Sequence, residues 1–167
     1  FDKAESQIAG FRYFNVFGPQ ENHKGKMASM VRQMFLQWQA EHKGKLFGEN
    51  DGYGPGEQTR DFIYVKDVVK VLFDFWQHPE RKGVFNLGTG HAHTFNDMAK
   101  AVLEFFGSGE LVYVPFPEVL KGKYQSYTQA DTTKLLAAGY TGGFTDFSQA
   151  VKEYCQVLQD SDGYYKA

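Results

Sequence analysis

The sequence predicts an α/β fold, because short segments rich in aromatic and β-branched residues alternate with amphipathic helical segments. Residues 8–16 have strand composition and no helical period, whereas from Met27 onward apolar residues recur at i, i+3, i+4, i+7 and i+8. At 167 residues the chain is long enough to enclose one substantial core. No internal repeat or low-complexity linker divides it.

The first part of the chain contains a strand, a polar loop and a helix. Residues 8–16 are predicted to form one mostly buried strand, which Gly18 and Pro19 end. The polar run 20–26 then leads into a helix that is predicted to begin at Met27. In α/β proteins, a loop that leaves a strand end and enters a helix is a common position for a ligand.

The same alternation predicts the later elements in order. After the helix come an extended segment at 45–47 and a glycine-rich loop at 48–58. Then follow a strand at 61–65, a helix capped by Asp67 and ended by His78, and a strand at 84–87. The next helix is predicted to begin with a capping box formed by Thr94 and Asp97, and a strand at 111–115 follows it. The last elements are a helix at 132–138 capped by Asp131 and a helix at 147–158. The tail at 160–167 is expected to fray.

Composition narrows the functional classes. The net charge of −2 gives no basic footprint for nucleic acid, and no apolar run reaches the roughly 18 residues that a membrane span needs. The single cysteine, Cys155, cannot form an internal disulfide and suits a reducing compartment. We therefore expect a cytoplasmic protein with a small-molecule ligand and no metal, since the histidines and the cysteine lack ligand spacing.

Lys24 is the strongest candidate for a catalytic residue. A lysine acts as an acid or base near neutral pH only when burial or neighbouring cations lower its pKa, and Lys26 and His23 lie close in sequence. The alternative is a lysine that is solvated or that neutralises a phosphate.

Two further positions combine suitable chemistry with a strand boundary. Asn15 ends the first strand, where a neutral amide can donate and accept without the cost of a buried charge; alternatively it caps the strand end. Arg60 precedes a buried strand and offers the two-pronged donor geometry that suits phosphate. A salt bridge from Arg60 to Asp61 or Glu57 is the competing interpretation.

Residues 12–19, Arg-Tyr-Phe-Asn-Val-Phe-Gly-Pro, resemble the RYFNVYGP segment of the extended short-chain dehydrogenase/reductase family of nucleotide-sugar epimerases and dehydratases. His-Lys-Gly at 23–25 and Met-Ala-Ser at 27–29 narrow the resemblance to the ADP-heptose 6-epimerases of this family. Residues 45–47, 59–65 and 120–125 agree with it. The resemblance runs almost end to end through the chain but covers only the second half of such an enzyme.

The resemblance implies an organisation and an activity. Residues 1–16 and about 61–90 would complete a Rossmann sheet, residues 17–60 and 91–167 would form the smaller substrate-binding lobe, and the N-terminal dinucleotide-binding half is expected to be absent. The implied reaction interconverts ADP-D-glycero- and ADP-L-glycero-D-manno-heptose by oxidation and reduction at the sugar C6, for lipopolysaccharide biosynthesis. NADP is the implied cofactor, with NAD possible, and the implied assembly is a homo-oligomer, a homopentamer in the family.

The resemblance also assigns roles. Lys24 would be one of two acid/base residues, Val16 would line the nicotinamide and Arg60 would hold the diphosphate. The other implied substrate contacts are Asn15, Lys26, Gln33, Tyr124, Phe47 stacked on adenine, and Gly48, Glu49 and Asn50 at the base edge. Lys26 and Gln33 replace a serine and a histidine of the family pattern, and Gly48-Glu49-Asn50 replaces a segment closer to Glu-Gly-Ser.

Two signatures that the family needs do not occur in this sequence. There is no glycine-rich dinucleotide loop and no Tyr-x-x-x-Lys pair, so this chain alone is not expected to bind the cofactor tightly or to turn over. Three interpretations stay open: part of an active heptose epimerase, a non-catalytic sugar-nucleotide-binding lobe, or part of another epimerase or dehydratase acting on a UDP- or GDP-sugar.

Overall fold

The computed structural model of the protein describes residues 5–165 and shows an α/β arrangement. The strands are β1 (Ala9–Tyr13), β2 (Asn15–Phe17), β3 (Lys43–Phe47), β4 (Thr59–Arg60), β5 (Phe62–Tyr64), β6 (Gly83–Leu87), β7 (His93–Thr94) and β8 (Glu110–Val114). The α-helices are α1 (Met30–Glu41), α2 (Val65–Gln77), α3 (Phe95–Phe106), α4 (Thr133–Ala137) and α5 (Phe147–Ser161). Residues 1–4, which were assigned to the Rossmann part, and residues 166–167 of the tail lie outside the described residues.

The single strand predicted at 8–16 is wrong, because the chain changes its pairing partner at Asn15. β1 pairs in parallel with β6, and β2 pairs in parallel with β5. The Phe14 amide donates to the carbonyl of Leu87, whereas the Asn15 amide donates to that of Asp61. A tight turn accompanies the change, since the Val16 amide bonds back to the Phe14 carbonyl at 2.8 Å. Asn15 therefore lies where the first strand turns away from one neighbour toward another.

Asp61 links three segments around this turn. Its buried carboxylate accepts from the Thr89 amide and hydroxyl, both at 2.8 Å, from the Gly90 amide at 2.9 Å and from the Ala130 amide at 3.0 Å. The predicted strand 61–65 is consequently shorter in the structure, where β5 covers residues 62–64 and Asp61 separates it from β4. A buried carboxylate with four donors fixes the loop after β6 and the segment before α4.

Two predicted helix starts need correction. Ala28 has extended backbone and the Met27 side chain is 84% exposed, so α1 begins at Met30 and not at Met27, with Ser29 as its cap. Asp67 does not cap α2, because its buried carboxylate accepts from the Thr145 amide and hydroxyl at 2.9 Å. The capping box that Thr94 and Asp97 were predicted to form at the start of α3 is confirmed.

The expected fraying of the tail is wrong for its described part. Helix α5 continues to Ser161, and the Gly163 amide closes its end by bonding to the carbonyl of Val157. The carbonyl of Gly163 accepts from the Gln20 amide, and that of Asp162 accepts from the Asn22 side chain at 2.6 Å. The tail is thus tied to the loop that follows β2.

Two apolar cores meet at the β2–β5 pair. Helices α1, α3 and α5 enclose the larger core, whereas α2, α4 and the β1–β6 pair enclose the smaller one. Phe62 and Tyr64 of β5 point into the larger core and Ile63 into the smaller, as expected from the alternation of side chains along a strand. Among residues 5–165, β1 has β6 as its strand partner on one edge and no strand on the other. No helix in this range is both long and apolar enough to cross a bilayer.

Candidate functional site

Two adjoining cavities lie beside Asn15, at the end of the first strand. The larger encloses about 530 Å³ and the smaller about 240 Å³; both are lined by Asn15, Met27, Ala28, Met30 and Phe95. Of the predicted site residues, Asn15, Lys26, Gln33, Phe47 and Tyr124 line the larger cavity, and Asn15, Val16 and Lys24 line the smaller. Residues that are far apart in sequence therefore line the same cavities, and the volume of the larger one suits a nucleotide-sized ligand.

A third cavity, of about 670 Å³, lies on the other side of Phe62, which also lines the smaller cavity near Lys24. Its walls include His91, His93 and Asp146 and contain no lysine or arginine. An anionic diphosphate would find no permanent positive charge there. We therefore place the candidate site in the two cavities beside Asn15.

Arg60 is not among the residues that line either cavity, but its guanidinium packs against two of the rings that line the larger one. Its guanidinium carbon is 4.9 Å from the ring centre of Tyr124 and 5.6 Å from that of Phe95. Only 8% of Arg60 is exposed, and this burial lowers the pKa of its guanidinium. One guanidinium nitrogen donates to the carbonyl of Thr59 at 2.8 Å.

The salt bridge considered for Arg60 is wrong within residues 5–165. The carboxylate of Asp61 is occupied by the amides and hydroxyl described above, and that of Glu57 accepts from the Asn96 side chain. No carboxylate in the described part of the chain pairs with Arg60. A nearly buried cation without an anion is costly, and a bound phosphate would remove that cost.

Asn15 is held in place by its own amide nitrogen. Nδ2 donates to the carbonyl of Asp61 at 3.4 Å and to the hydroxyl of Thr128 at 3.3 Å. These bonds fix the side chain at the strand end, as the capping interpretation requires. They leave its oxygen free to accept from a ligand in either cavity, so the two interpretations of Asn15 are compatible.

Lys24 is exposed in a short 3-10 helical segment, Asn22–Met27, that lies in the loop between β2 and α1. Hydrogen bonds to Glu21 fix the two ends of this loop. The buried Glu21 carboxylate accepts from the Ser29 amide at 2.8 Å, the Ser29 hydroxyl at 2.5 Å and the Tyr154 hydroxyl at 2.8 Å. Burial and the neighbouring Glu21 both raise the pKa of Tyr154, which keeps that hydroxyl a donor. The Lys24 ammonium makes no ion pair or side-chain hydrogen bond within the described chain. The loop therefore presents a free cation at the smaller cavity from a fixed backbone.

Gly48, Glu49 and Asn50 are not brought into the same cavity as Phe47. Glu49 and Asn50 line a separate surface pocket with Lys121, because Asn50 and Tyr53 bond to each other's backbone and fold the loop back on itself. The Gly48 amide is occupied by the carbonyl of Val114 at 2.7 Å.

Sequence reasoning missed several residues of the site. Phe95, Gln58 and Lys45 line the larger cavity, Thr128 orients Asn15, and Phe116 packs edge-on against Phe47 and Tyr124. Phe95 carried a signal, since it opens a helix directly after a recognisable cap at Thr94. Thr128 and Gln58 come from loops without periodicity, where no local pattern indicates which way a side chain points. Residues 5–165 contain no group of three or more potential ligands that could hold a metal ion.

Comparison with known proteins identifies the family of this chain. Residues 2–88 match the NAD dependent epimerase/dehydratase family. The ADP-L-glycero-D-manno-heptose-6-epimerase of Helicobacter pylori is 32% identical, with a TM-score of 0.77 over 92% of this chain and 45% of that one.

Two further solved structures share the fold. The UDP-glucose 4-epimerase of Thermotoga maritima is 27% identical, with a TM-score of 0.73 over 92% of this chain and 46% of that one. The UDP-N-acetylglucosamine 4-epimerase of Methanobrevibacter ruminantium is 24% identical, with a TM-score of 0.74 over 92% and 46%. The chain spans a little under half the length of these relatives, and its α/β fold corresponds to part of an extended short-chain dehydrogenase/reductase. The chain belongs to the NAD dependent epimerase/dehydratase family.

Proposed function

We propose that this chain is the sugar-nucleotide-binding part of an ADP-heptose 6-epimerase, which interconverts the D-glycero and L-glycero forms of ADP-D-manno-heptose. The observation that carries the proposal is Arg60, a nearly buried cation that pairs with no carboxylate of residues 5–165 and packs against rings that line a nucleotide-sized cavity. His-Lys-Gly at 23–25 and the 32% identity to the H. pylori epimerase favour heptose as the sugar.

The proposed binding mode follows the charges and rings of the larger cavity. The base stacks on Phe47, near Phe116 and Tyr124, and the diphosphate lies toward Arg60 with Lys26 and Lys45 as further cations. Gln33 is fixed by donating to the carbonyls of Lys26 and Ala28, so it holds the loop at that wall. We retain Gly48, Glu49 and Asn50 as base-edge contacts only if the loop at 48–58 rearranges when the ligand binds.

The sugar would occupy the smaller cavity, between Asn15 and Lys24. A bound nicotinamide cofactor supplies the hydride acceptor and donor for epimerisation; of the residues in this chain, Val16 would line its ring. The Asn15 oxygen accepts a hydrogen bond from a hydroxyl group of the sugar and so orients it. Lys24 Nζ holds the proton for one face of the C6 centre, and the second acid/base group comes from outside this chain.

The wider proposal includes the rest of the enzyme. Residues 1–16 and about 61–90 complete a Rossmann sheet, while residues 17–60 and 91–167 form the substrate lobe. We propose NADP as the cofactor, with NAD as the alternative, and a homo-oligomer that works in the cytoplasm in lipopolysaccharide biosynthesis.

Isothermal titration of the purified chain with ADP, UDP and GDP tests the binding role. We expect ADP to bind, and the Arg60→Met variant to lose this binding while Arg12→Met, at an exposed arginine outside the cavities, retains it. Binding of UDP with none of ADP would instead favour an epimerase of UDP-sugars, and binding of none of the three would refute the proposal.

Catalysis is tested on the native material. Mass spectrometry under native conditions identifies any second polypeptide that carries a glycine-rich dinucleotide loop. With such a partner present we expect conversion of ADP-heptose, which Lys24→Met abolishes without weakening ADP binding. Unchanged conversion by Lys24→Met would remove Lys24 from the catalytic role.

A further inference from the structure

Gln58 is a buried amide in the wall of the larger cavity. It precedes β4, is only 2% exposed, and lines the cavity next to Phe47 and Phe95. Its backbone carbonyl accepts from the Phe95 amide at 3.1 Å, which anchors it to the start of α3. Such burial leaves its side chain little freedom.

One hydrogen bond fixes which end of the Gln58 amide faces the cavity. Nε2 donates to the carbonyl of Gly48 at 3.1 Å, and only the nitrogen end can make this bond because a carbonyl is an acceptor. Oε1 has no partner within residues 5–165. It is not among the fully enclosed side-chain atoms that lack a partner, Thr59 Oγ1 and Tyr64 OH, so it keeps contact with the open space of the cavity and can accept a hydrogen bond there.

The two other glutamines of this cavity are each held at one end of the amide. Gln33 Nε2 donates to the carbonyls of Lys26 and Ala28, and Gln37 Oε1 accepts from the Lys45 amide at 2.8 Å. The oxygens of Asn15 and Gln33 also have no hydrogen-bond partner within residues 5–165, but neither side chain bonds to the segment that carries Phe47. Because Gln58 Nε2 is bound to Gly48, the residue after Phe47, the Gln58 side chain lies close to the segment whose ring we propose for the base.

We propose that Gln58 determines base specificity by accepting a hydrogen bond from the exocyclic amine of the bound purine. A 6-aminopurine offers N–H groups to Oε1, whereas a 6-oxopurine would place its oxygen against the Gln58 oxygen. Flipping the amide would relieve that contact only by breaking the bond to Gly48. The inference rests on the proposed nucleotide site and adds the residue that distinguishes one base from another.

The test compares ADP with inosine diphosphate, which differ in the 6-amino and 6-oxo groups and share ribose and diphosphate. In calorimetric titration of the wild-type chain, we expect ADP to bind about tenfold more tightly, as one neutral hydrogen bond and its loss imply. Gln58→Met, of similar volume and without an amide, should reduce the ratio to about one. Gln37→Leu, which alters the same cavity at an oxygen already in use, should leave the ratio unchanged.

The outcomes separate the two proposals. Equal affinity of the wild-type chain for both nucleotides overturns the role of Gln58 and leaves the nucleotide site standing; this comparison needs no variant to fold. A tenfold ratio that persists in Gln58→Met assigns the discrimination elsewhere and also overturns the role. Failure of the wild-type chain to bind either nucleotide overturns the role of Gln58 together with the proposed function.

Discussion

Arg60 and Arg81 are two nearly buried arginines that differ in whether a carboxylate lies beside them. Replacing each by methionine distinguishes a role in ligand binding from a role in stability. The Arg81 side chain is 10% exposed, forms an ion pair with Asp74, donates to the Gly139 carbonyl and lies 5.5 Å over Phe75. Arg60 has rings on two sides but no carboxylate partner in the described part of the chain. The contrast makes Arg81 a control of matching chemistry for Arg60.

The expected magnitudes follow from what each substitution leaves behind. Arg81→Met strands the partly exposed Asp74 carboxylate and removes a ring contact, which we expect to cost about 2 kcal/mol. Arg60→Met loses two ring contacts of about 0.5–1 kcal/mol each but also removes a buried charge that nothing compensates. These two effects oppose each other, so its unfolding free energy should change by no more than about 1 kcal/mol.

Thermal unfolding followed by circular dichroism measures the difference. For a chain of this size, Arg81→Met should lower Tm by roughly 4–8 °C and Arg60→Met by less than about 4 °C. The effects on ADP affinity should be the opposite of the effects on stability. Arg60→Met loses two charge-assisted hydrogen bonds to the ligand, so we expect its ADP affinity to fall about 100-fold or more, whereas that of Arg81→Met should not change. If Arg60→Met unfolds as readily as Arg81→Met, its guanidinium has a structural role and our reasoning fails.

Two more predictions concern stability. Asp61→Asn turns one acceptor oxygen into an NH₂ group that faces N–H donors, so urea denaturation should show a loss of about 3 kcal/mol; the exposed Asp131→Asn should lose less than 1 kcal/mol. Burial raises the pKa of Cys155 to about 12 and also raises that of Tyr154, so the unfolded chain releases these protons first. Stability should therefore fall as the pH rises from about 9 toward 12, and Cys155→Ala should reduce that fall by about 1–2 kcal/mol; an unchanged urea midpoint up to pH 10.5 would contradict the burial argument.

The elements that sequence alone predicted well are those with a strong local signal. The apolar stripe of α3 and the capping box at Thr94 act within a few residues, so their pattern is visible in any short window. Residues 27–38 show the limit of such a pattern. Met27 continued the helical spacing, but Glu21 bonds to Ser29 and moves the helix start to Met30.

Residues of the candidate site can be predicted from sequence where they belong to one contiguous motif. The contacts between residues that are distant in sequence cannot. Asn15, Lys24 and Val16 belong to one segment, and the structure places all three at the smaller cavity. Whether Arg60 meets a carboxylate depends instead on contacts between residues far apart in sequence. The Asp61 carboxylate accepts hydrogen bonds from Thr89, Gly90 and Ala130 and is therefore not available to Arg60. No spacing along the chain predicts these contacts.

Within residues 5–165 one edge of β1 has no strand partner, and this edge affects how the chain behaves in solution. That edge presents backbone donors and acceptors to water, and the Ile8 and Tyr13 side chains beside it are 48% and 52% exposed. Unpaired strand edges recruit other strands, including those of identical molecules. The purified chain should therefore self-associate as its concentration rises, and a peptide that supplies a matching parallel strand should suppress this association. Light scattering over a concentration series should accordingly precede any quantitative binding experiment.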